Sequence, residues 1–280
     1  MSKPRSIGSR INEHRHPAWM YRYPRTVVLL WVWFIVLYQR TWVIRARLRR
    51  YLSDAPTTLR VLDAGCGEGL FLLPAARKHA RHRFEGVDLR NANVELCERY
   101  REELGLTNLS LRQADLTQLE ARPADLILCV GVLHCIPEDE QALERLAAAL
   151  SPQGRLLLYT PLNRRRILPG FERLFSSTLN YEAHHAQHVY TDEKLTQKIG
   201  TAGLRVEDRY FTNGTLGIIG YELVTGAFLI ANRPGFLLKI IGYALFLLLV
   251  PVQLLLNLLD LCIFKKDGNG CLYEIRHDQT

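Results

Sequence analysis

Val61-Leu62-Asp63-Ala64-Gly65-Cys66-Gly67-Glu68-Gly69 marks a point where a strand gives way to a helix. An apolar run meets an acid, and three glycines then alternate with other residues. Gly65 and Gly67 let the backbone turn tightly and approach a ligand where a Cβ would intrude. The amides that follow, at the start of a helix, favour a polar or anionic group. A glycine loop alone is a weak signal, because nicotinamide enzymes carry G-x-G-x-x-G in the same place. The spacing here is Asp-x-Gly-x-Gly-x-Gly, with the acid two residues before the first glycine. That acid can face a ligand's ammonium group, whereas a pyrophosphate would be repelled by it.

On both sides of the loop, short apolar runs alternate with helical stretches. Strands are predicted at 60–63, 84–88, 109–113, 125–129 and 155–159, with helices near 69–80, 91–104 and 138–150. A helix over 191–202, a strand over 204–211 and a last strand over 271–275 continue the series. Alternation at this pitch means βαβ units with right-handed crossovers, hence a doubly wound, mostly parallel sheet with helices on both faces. Two further acids fall at strand ends. Asp88 lies 25 residues after Asp63, where a carboxylate can accept ribose hydroxyls, and Asp115 follows the third strand. Open α/β sheets bind their ligands at this carboxyl edge.

With three acids and the glycine loop in these positions, the chain resembles the class I S-adenosylmethionine-dependent methyltransferases, closely over 58–161 and more loosely over 188–211 and 270–277. The resemblance implies a Rossmann-like seven-stranded sheet, S-adenosyl-L-methionine as cofactor, and roles by position. Asp63, Ala64, Gly65 and Cys66 would line the methionine end with Gly67 in the loop, Asp88 and Leu89 the ribose, and Asp115 and Leu116 the adenine. The segment Cys129-Val130-Gly131-Val132-Leu133-His134 would run beneath the sulfonium and face the acceptor. Methyltransferases of nucleobase amines carry an Asn-Pro-Pro-Tyr-type motif at that place, so nucleic acid is a disfavoured acceptor. Leu133-His134-Cys135-Ile136-Pro137 is instead similar to the small-molecule and quinone-precursor branch. In-line methyl transfer needs alignment above all, and a base only where the acceptor must lose a proton. An imidazole suits a phenol or carboxylic acid. His134 is therefore the catalytic candidate, its alternative being a pocket-wall histidine bonded to the helix at 138–150. His184, His185 and His188, before Tyr190-Thr191-Asp192, resemble the family's His-x-Tyr-Thr lead into its late helix, with Thr191 as N-cap. Arg164-Arg165-Arg166 can meet an acidic acceptor or lipid headgroups, or be a solvated charge run.

Composition sets the outer bounds. The chain has 280 residues, 48% hydrophobic and 23% charged, with a formal net charge of +8. A mean hydropathy of −0.05 excludes both a multispanning membrane protein and a disordered, solvating chain. The six cysteines form no C-x-x-C pair and have no histidine partners at zinc spacing, so they read as reduced core residues with no metal site. Residues 1–50 hold eleven Lys/Arg against the single acid Glu13. The basic excess thus belongs to an N-terminal arm. Within it, residues 27–38 form an unbroken apolar run, roughly 18 Å as a helix against about 30 Å of hydrocarbon. Beyond it, Ile44, Leu48, Tyr51 and Leu52 share one face opposite Arg45, Arg47, Arg49 and Arg50. This is the composition of a membrane-interface helix; the other reading is a helix packed on the body or in a dimer interface.

A second apolar addition spans 216–264, where Pro251 should kink or end a helix. In this family the last strand pairs antiparallel with strand six, which implies that both ends of the insertion emerge on one face. Two full spans need about 40 apolar residues, and Glu222, Asn232, Arg233, Pro234 and Lys239 interrupt the first half. A monotopic or re-entrant platform is expected. The organisation expected is an arm over 1–57, a methyltransferase domain over 58–211 and 268–280, and an insertion over 212–267. Its expected work is methyl transfer to a hydrophobic, membrane-resident small molecule at the cytoplasmic face of a membrane, on an anionic surface. The alternatives are a cofactor-binding subunit without catalysis, and an RNA methyltransferase using the basic arm.

Overall fold

The computed structural model describes residues 20, 22, 35–163, 165–176, 187–263 and 266–278. Most of the apolar run at 27–38, and Arg164, His184, His185 and Lys265, lie outside them.

Helix α1 (Gln39–Asp54) leads into β1 (Arg60–Ala64), α2 (Leu72–Lys78), β2 (Arg83–Asp88), α3 (Asn91–Leu104) and β3 (Leu109–Gln113). Next come β4 (Ala124–Val130), α4 (Asp139–Ala149), β5 (Leu150–Pro161) and a short α5 (Phe171–Ser176). The chain closes with α6 (Asp192–Thr201), β6 (Leu204–Thr212), α7 (Thr215–Ala231), α8 (Phe236–Cys262) and β7 (Gly270–His277). The seven strands form one sheet in the order β3-β2-β1-β4-β5-β7-β6. β1 to β5 pair in parallel, whereas β7 runs antiparallel to both of its neighbours.

Side chains alternate between two cores, as period-2 strands buried on both faces require. Leu62, Ile127, Leu156 and Tyr273 face α4 and α6, while Val61, Leu126, Leu157 and Leu272 face α1, α2 and α3. Four cysteines are buried and reduced, Cys135 is half-buried and Cys262 is exposed. Burial pushes the Cys129 and Cys271 thiols up to about 12, which keeps them protonated.

One expectation needs correction. The amphipathic helix in the arm is part of the body: Ile44 and Leu52 are 0% and 1% exposed, and with Leu48 they fill the second core. A buried polar tie reinforces the docking. Tyr51 donates to Glu274 Oε2 at 2.6 Å, Arg47 lies 3.7 Å from Glu274 Oε1, and the Arg47 guanidinium stacks 3.7 Å from the centre of the Tyr210 ring. The apolar face that composition allotted to a membrane is thus spent on the sheet. Of the two outcomes expected at Pro251, a kink or an end, the end does not occur. The proline sits inside α8, which continues to Cys262, at the loss of one i→i−4 bond.

The insertion is a helical hairpin. Thr212 of β6 pairs with Gly270 of β7, and the Asn269 N–H donates to the Asn213 carbonyl at 3.0 Å, so the chain departs and returns at one point. Between them α7 and α8 pack closely through small residues. A Cβ on Gly242 would stand 2.3 Å from the Ala231 nitrogen, and one on Gly220 would stand 3.2 Å from the Gln253 Cα. Among the described residues, α8 is the helix long and apolar enough to cross a membrane.

If α1 belongs to the core, Ile44→Ala leaves a cavity under the sheet and destabilises the fold by about 2–5 kcal/mol. Chemical denaturation measures this. A loss within about 0.5 kcal/mol, the range of surface substitutions, would return α1 to the arm.

Candidate active site

Parallel register sets the site. Because Asp63 pairs with Gly86 and Leu128, and Asp88 with Gln113, the carboxyl ends of β3, β2, β1 and β4 stand side by side. Asp63, Asp88 and Asp115 and the segment after Val130 therefore line one edge of the sheet. The loop between β1 and α2 is folded against that edge by two amides: Gly65 and Cys66 both donate to the Val87 carbonyl, at 2.8 and 2.9 Å.

The glycines have distinct reasons to be there. Gly65 has φ +88°, and a Cβ on it would lie 2.3 Å from Val132 Cγ2, so this glycine lets the loop after β4 close over the loop after β1. Gly67 has φ +54° with nothing within 4 Å of a Cβ position. That open space above an amide-lined turn is what a ligand needs to approach the backbone. The Gly67 N–H is fixed by Asp88 Oδ2 at 2.8 Å.

Asp88 holds its loop together. Its Oδ1 accepts from the Arg90 N–H at 2.8 Å and from Asn93 Nδ2 at 3.0 Å. A carboxylate offers about four acceptor positions. Three are filled by protein donors, which leaves room for one hydroxyl directly and for a second if the Gly67 amide gives way. Asn93 is a positioning residue that sequence reading missed. It lies in the first turn of α3, where nothing in the local pattern separates it from an ordinary polar helix residue. Asp115 is exposed and caps a short 3-10 helix, its Oδ1 accepting from the Thr117 N–H and hydroxyl at 2.9 and 2.8 Å.

Asp63 is different in kind. It is 2% exposed, and burial, helped by the charge of Asp88, pushes its carboxyl up from 3.8 to about 7. A buried acid at this pH is poised for a cationic ligand group, which would restore its charge. Together with the open cradle at Gly67, this fits the ammonium end of S-adenosylmethionine.

Not every residue assigned by resemblance presents its side chain to this edge. Ala64 and Leu116 are buried in the first core and Cys66 in the second, so these three can reach a ligand through backbone only. Leu89 is 36% exposed, an open apolar surface beside Asp88. Val130 ends β4, and His134 lies half-buried in the 3-10 turn Leu133–Cys135 that follows. The His134 carbonyl accepts the Gln187 and His188 amides at 2.8 and 3.1 Å, so the late loop is tied beneath this turn. His188 Nε2 lies 3.0 Å from the Ile136 and Pro137 carbonyls, and Thr191 caps α6 as expected. Behind them Asp139 accepts from Tyr190 at 2.6 Å and Lys198 at 2.8 Å. Burial opposes its charge, but these donors hold its carboxyl below the ordinary range. Arg165 and Arg166 pair with Asp267 and Glu172 at 3.4 and 2.9 Å. A cavity of about 420 Å³ is lined by Arg60, Arg83 and Arg112 among others, and by none of the three acids.

Comparison with known proteins gives the family. Residues 57–203 match the family model described as a methyltransferase domain. The chain is 29% identical over 154 residues to a ubiquinone biosynthesis O-methyltransferase of Coxiella burnetii (strain Dugway 5J108-111), covering 53% of this chain and 64% of that one, less than two thirds of its length. It is 29% identical over 161 residues to the aklanonic acid methyltransferase DauC of Streptomyces sp. (strain C5), covering 56% and 73%. Among solved structures, a coclaurine N-methyltransferase bound to N-methylheliamine and SAH is similar in fold, with a TM-score of 0.54 at 17% identity over 82% of this chain and 70% of that one.

The Asp63 carboxyl generates a pH test. Its raised value means that the ligand-free fold loses this group's stabilising contribution as pH rises from about 4 through about 7. A cationic ligand favours the charged carboxylate, so affinity for S-adenosylmethionine should fall roughly tenfold as pH drops from about 7.5 to about 6. Calorimetric titration of the parent and of Asp63→Asn checks this; the variant should bind weakly and without that slope. A flat profile in the parent would mean that Asp63 does not meet the cation.

Proposed function

The chain belongs to the methyltransferase-domain family, in its class I S-adenosylmethionine-dependent form, and on that premise we propose that it is an enzyme that methylates a hydrophobic small molecule. The preferred acceptor is a phenolic, quinone-precursor or carboxylated lipid resident in a membrane, methylated on oxygen at the cytoplasmic face. The observation that carries the reading is Asp63, buried and raised to about 7 beside the open cradle of Gly67. The two O- and small-molecule methyltransferases among the relatives support the acceptor class.

When bound, S-adenosylmethionine supplies an activated methyl group on a sulfonium centre. The protein's own residues do the rest. Asp63 would hold the ammonium, Asp88 the ribose hydroxyls and Asp115 the adenine edge, while Gly65 and Gly67 let the backbone close around them. Val132, packed over Gly65, would keep water from the reacting edge. His134, two residues further on, would accept the acceptor's proton as the methyl group arrives. The exposed apolar surface of α8 favours an acceptor drawn from lipid.

Incubation of the full chain with methyl-labelled cofactor and a total lipid extract tests the reading. A labelled lipid-soluble product is expected. Cofactor binding without turnover would point to a non-catalytic subunit, and label in RNA would point to the nucleic-acid alternative. On the product found, His134→Ala should lower turnover by about 10²–10⁴ with cofactor affinity unchanged. Equal losses in binding and rate would make His134 a wall residue.

A further inference from the structure

Helix α8 is amphipathic in the inverse sense. Gln253, Asn257 and Asp260 form one stripe at helical spacing, and all three are buried. Each is bonded to the body or to the segment before α1. Gln253 Nε2 and Asn257 Nδ2 donate to the Leu37 carbonyl at 2.9 and 3.2 Å, and Asp260 Oδ2 accepts from Gln39 Nε2 at 2.9 Å and the Gly214 N–H at 3.0 Å. The opposite face is apolar and open from end to end. Leu237, Leu247, Leu248 and Leu255 are 71%, 64%, 69% and 57% exposed. Soluble monomers rarely expose contiguous apolar patches larger than a few hundred Å², and a helix of 27 residues is roughly 40 Å long.

We propose that α8 lies in the plane of a bilayer with this face sunk into one anionic leaflet, and that the α7–α8 hairpin never crosses. Length and composition would allow a span, but the neighbours of α7 forbid it. Glu222, in mid-α7, accepts the Leu168 N–H at 2.7 Å and the Ile167 N–H at 3.2 Å. Leu229, two residues from the end of α7, packs on Phe171 and Phe175 of α5. The loop after β5 therefore follows the hairpin nearly to its tip, bringing the Arg166–Glu172 ion pair with it. A crossing hairpin would carry that pair and its irregular backbone into hydrocarbon, where neither is tolerated in contact with lipid.

Charge selects the partner. Glu222 and Asp260, the acids of the two helices, are both buried, whereas Arg233 at the hairpin tip and Lys266 just beyond the other end are exposed. Cations at both ends of an apolar face suit anionic headgroups, with the helix sunk about 5–10 Å. The surface does not depend on methyl transfer, so it stands or falls separately from the proposed activity.

The test is thiol labelling of the full chain in spheroplasts and in inverted membrane vesicles from a bacterial expression host. Arg233→Cys at the hairpin tip, in a background with Cys135 and Cys262 replaced by serine, should react with an impermeant maleimide in inverted vesicles and stay unlabelled in spheroplasts. Labelling in spheroplasts would overturn the proposal, because the tip would then have crossed. Replacing exposed side chains, Leu248→Asp with Leu255→Asp, should lower flotation on phosphatidylglycerol-containing vesicles about tenfold while calorimetric cofactor binding is kept. Unchanged flotation, with a dimer converted to monomer in sedimentation, would assign the face to a second copy and equally overturn the proposal.

Discussion

Strand β7 is the constraint on which the rest depends. It is wedged between β5 and β6 and antiparallel to both, with Thr160 opposite Cys271 on one side and Phe211 opposite the same residue on the other. A strand in that place must be reached by a chain that leaves the sheet after Thr212 and returns at Gly270. Everything between has to begin and end at one point, and two antiparallel helices satisfy this with the least irregular backbone. The same strand supplies Glu274, whose buried carboxylate ties down Tyr51 and Arg47 of α1. The N-terminal helix and the hairpin are thus fastened to one seam of the sheet, and Gln39 bridges them by bonding Asp260 and the Asn213 amide.

At the other half of the sheet the governing constraint is parallel register. It sets three carboxylates in adjacent positions, and their environments then separate them. Asp63 is buried and resists ionisation, Asp88 is held by three donors with one acceptor position still open, and Asp115 is exposed. Such a gradient of polarity across one edge can receive a ligand that is cationic at one end and a neutral aromatic at the other. The loop after β4 closes the cationic end through Val132 and is held from behind by His188, Tyr190 and Asp139.

The sheet was legible because its signals are local. Period-2 apolar runs, the glycine loop and the acids at strand ends each follow from a few neighbouring residues, and the predicted strands fall within those observed to a residue or two, except that β5 starts at Leu150 rather than Arg155. What needed tertiary information was harder. The pattern of Ile44, Leu48 and Leu52 states that one face needs an apolar partner, not whether that partner is lipid or a sheet. Gln253, Asn257 and Asp260 read as interruptions of a greasy run, yet they are its inward face. Cys66 and Leu116 follow strand ends as the sequence implies, but their side chains turn into the cores, and side-chain direction in irregular backbone has no period to reveal it. Asn93 carried no signal at all, since its partner Asp88 is five residues away across a turn.

The central claim is that S-adenosylmethionine seats at the carboxyl edge of β1, β2 and β3. Amide hydrogen exchange of the full-length chain, with and without the cofactor, tests it directly. Slowed exchange is predicted at residues 65–69, 88–90 and 115–117, with the amino ends of β1 and β2 at Arg60 and Arg83 unchanged. Protection at those amino ends, with the glycine loop unaffected, would contradict this seating.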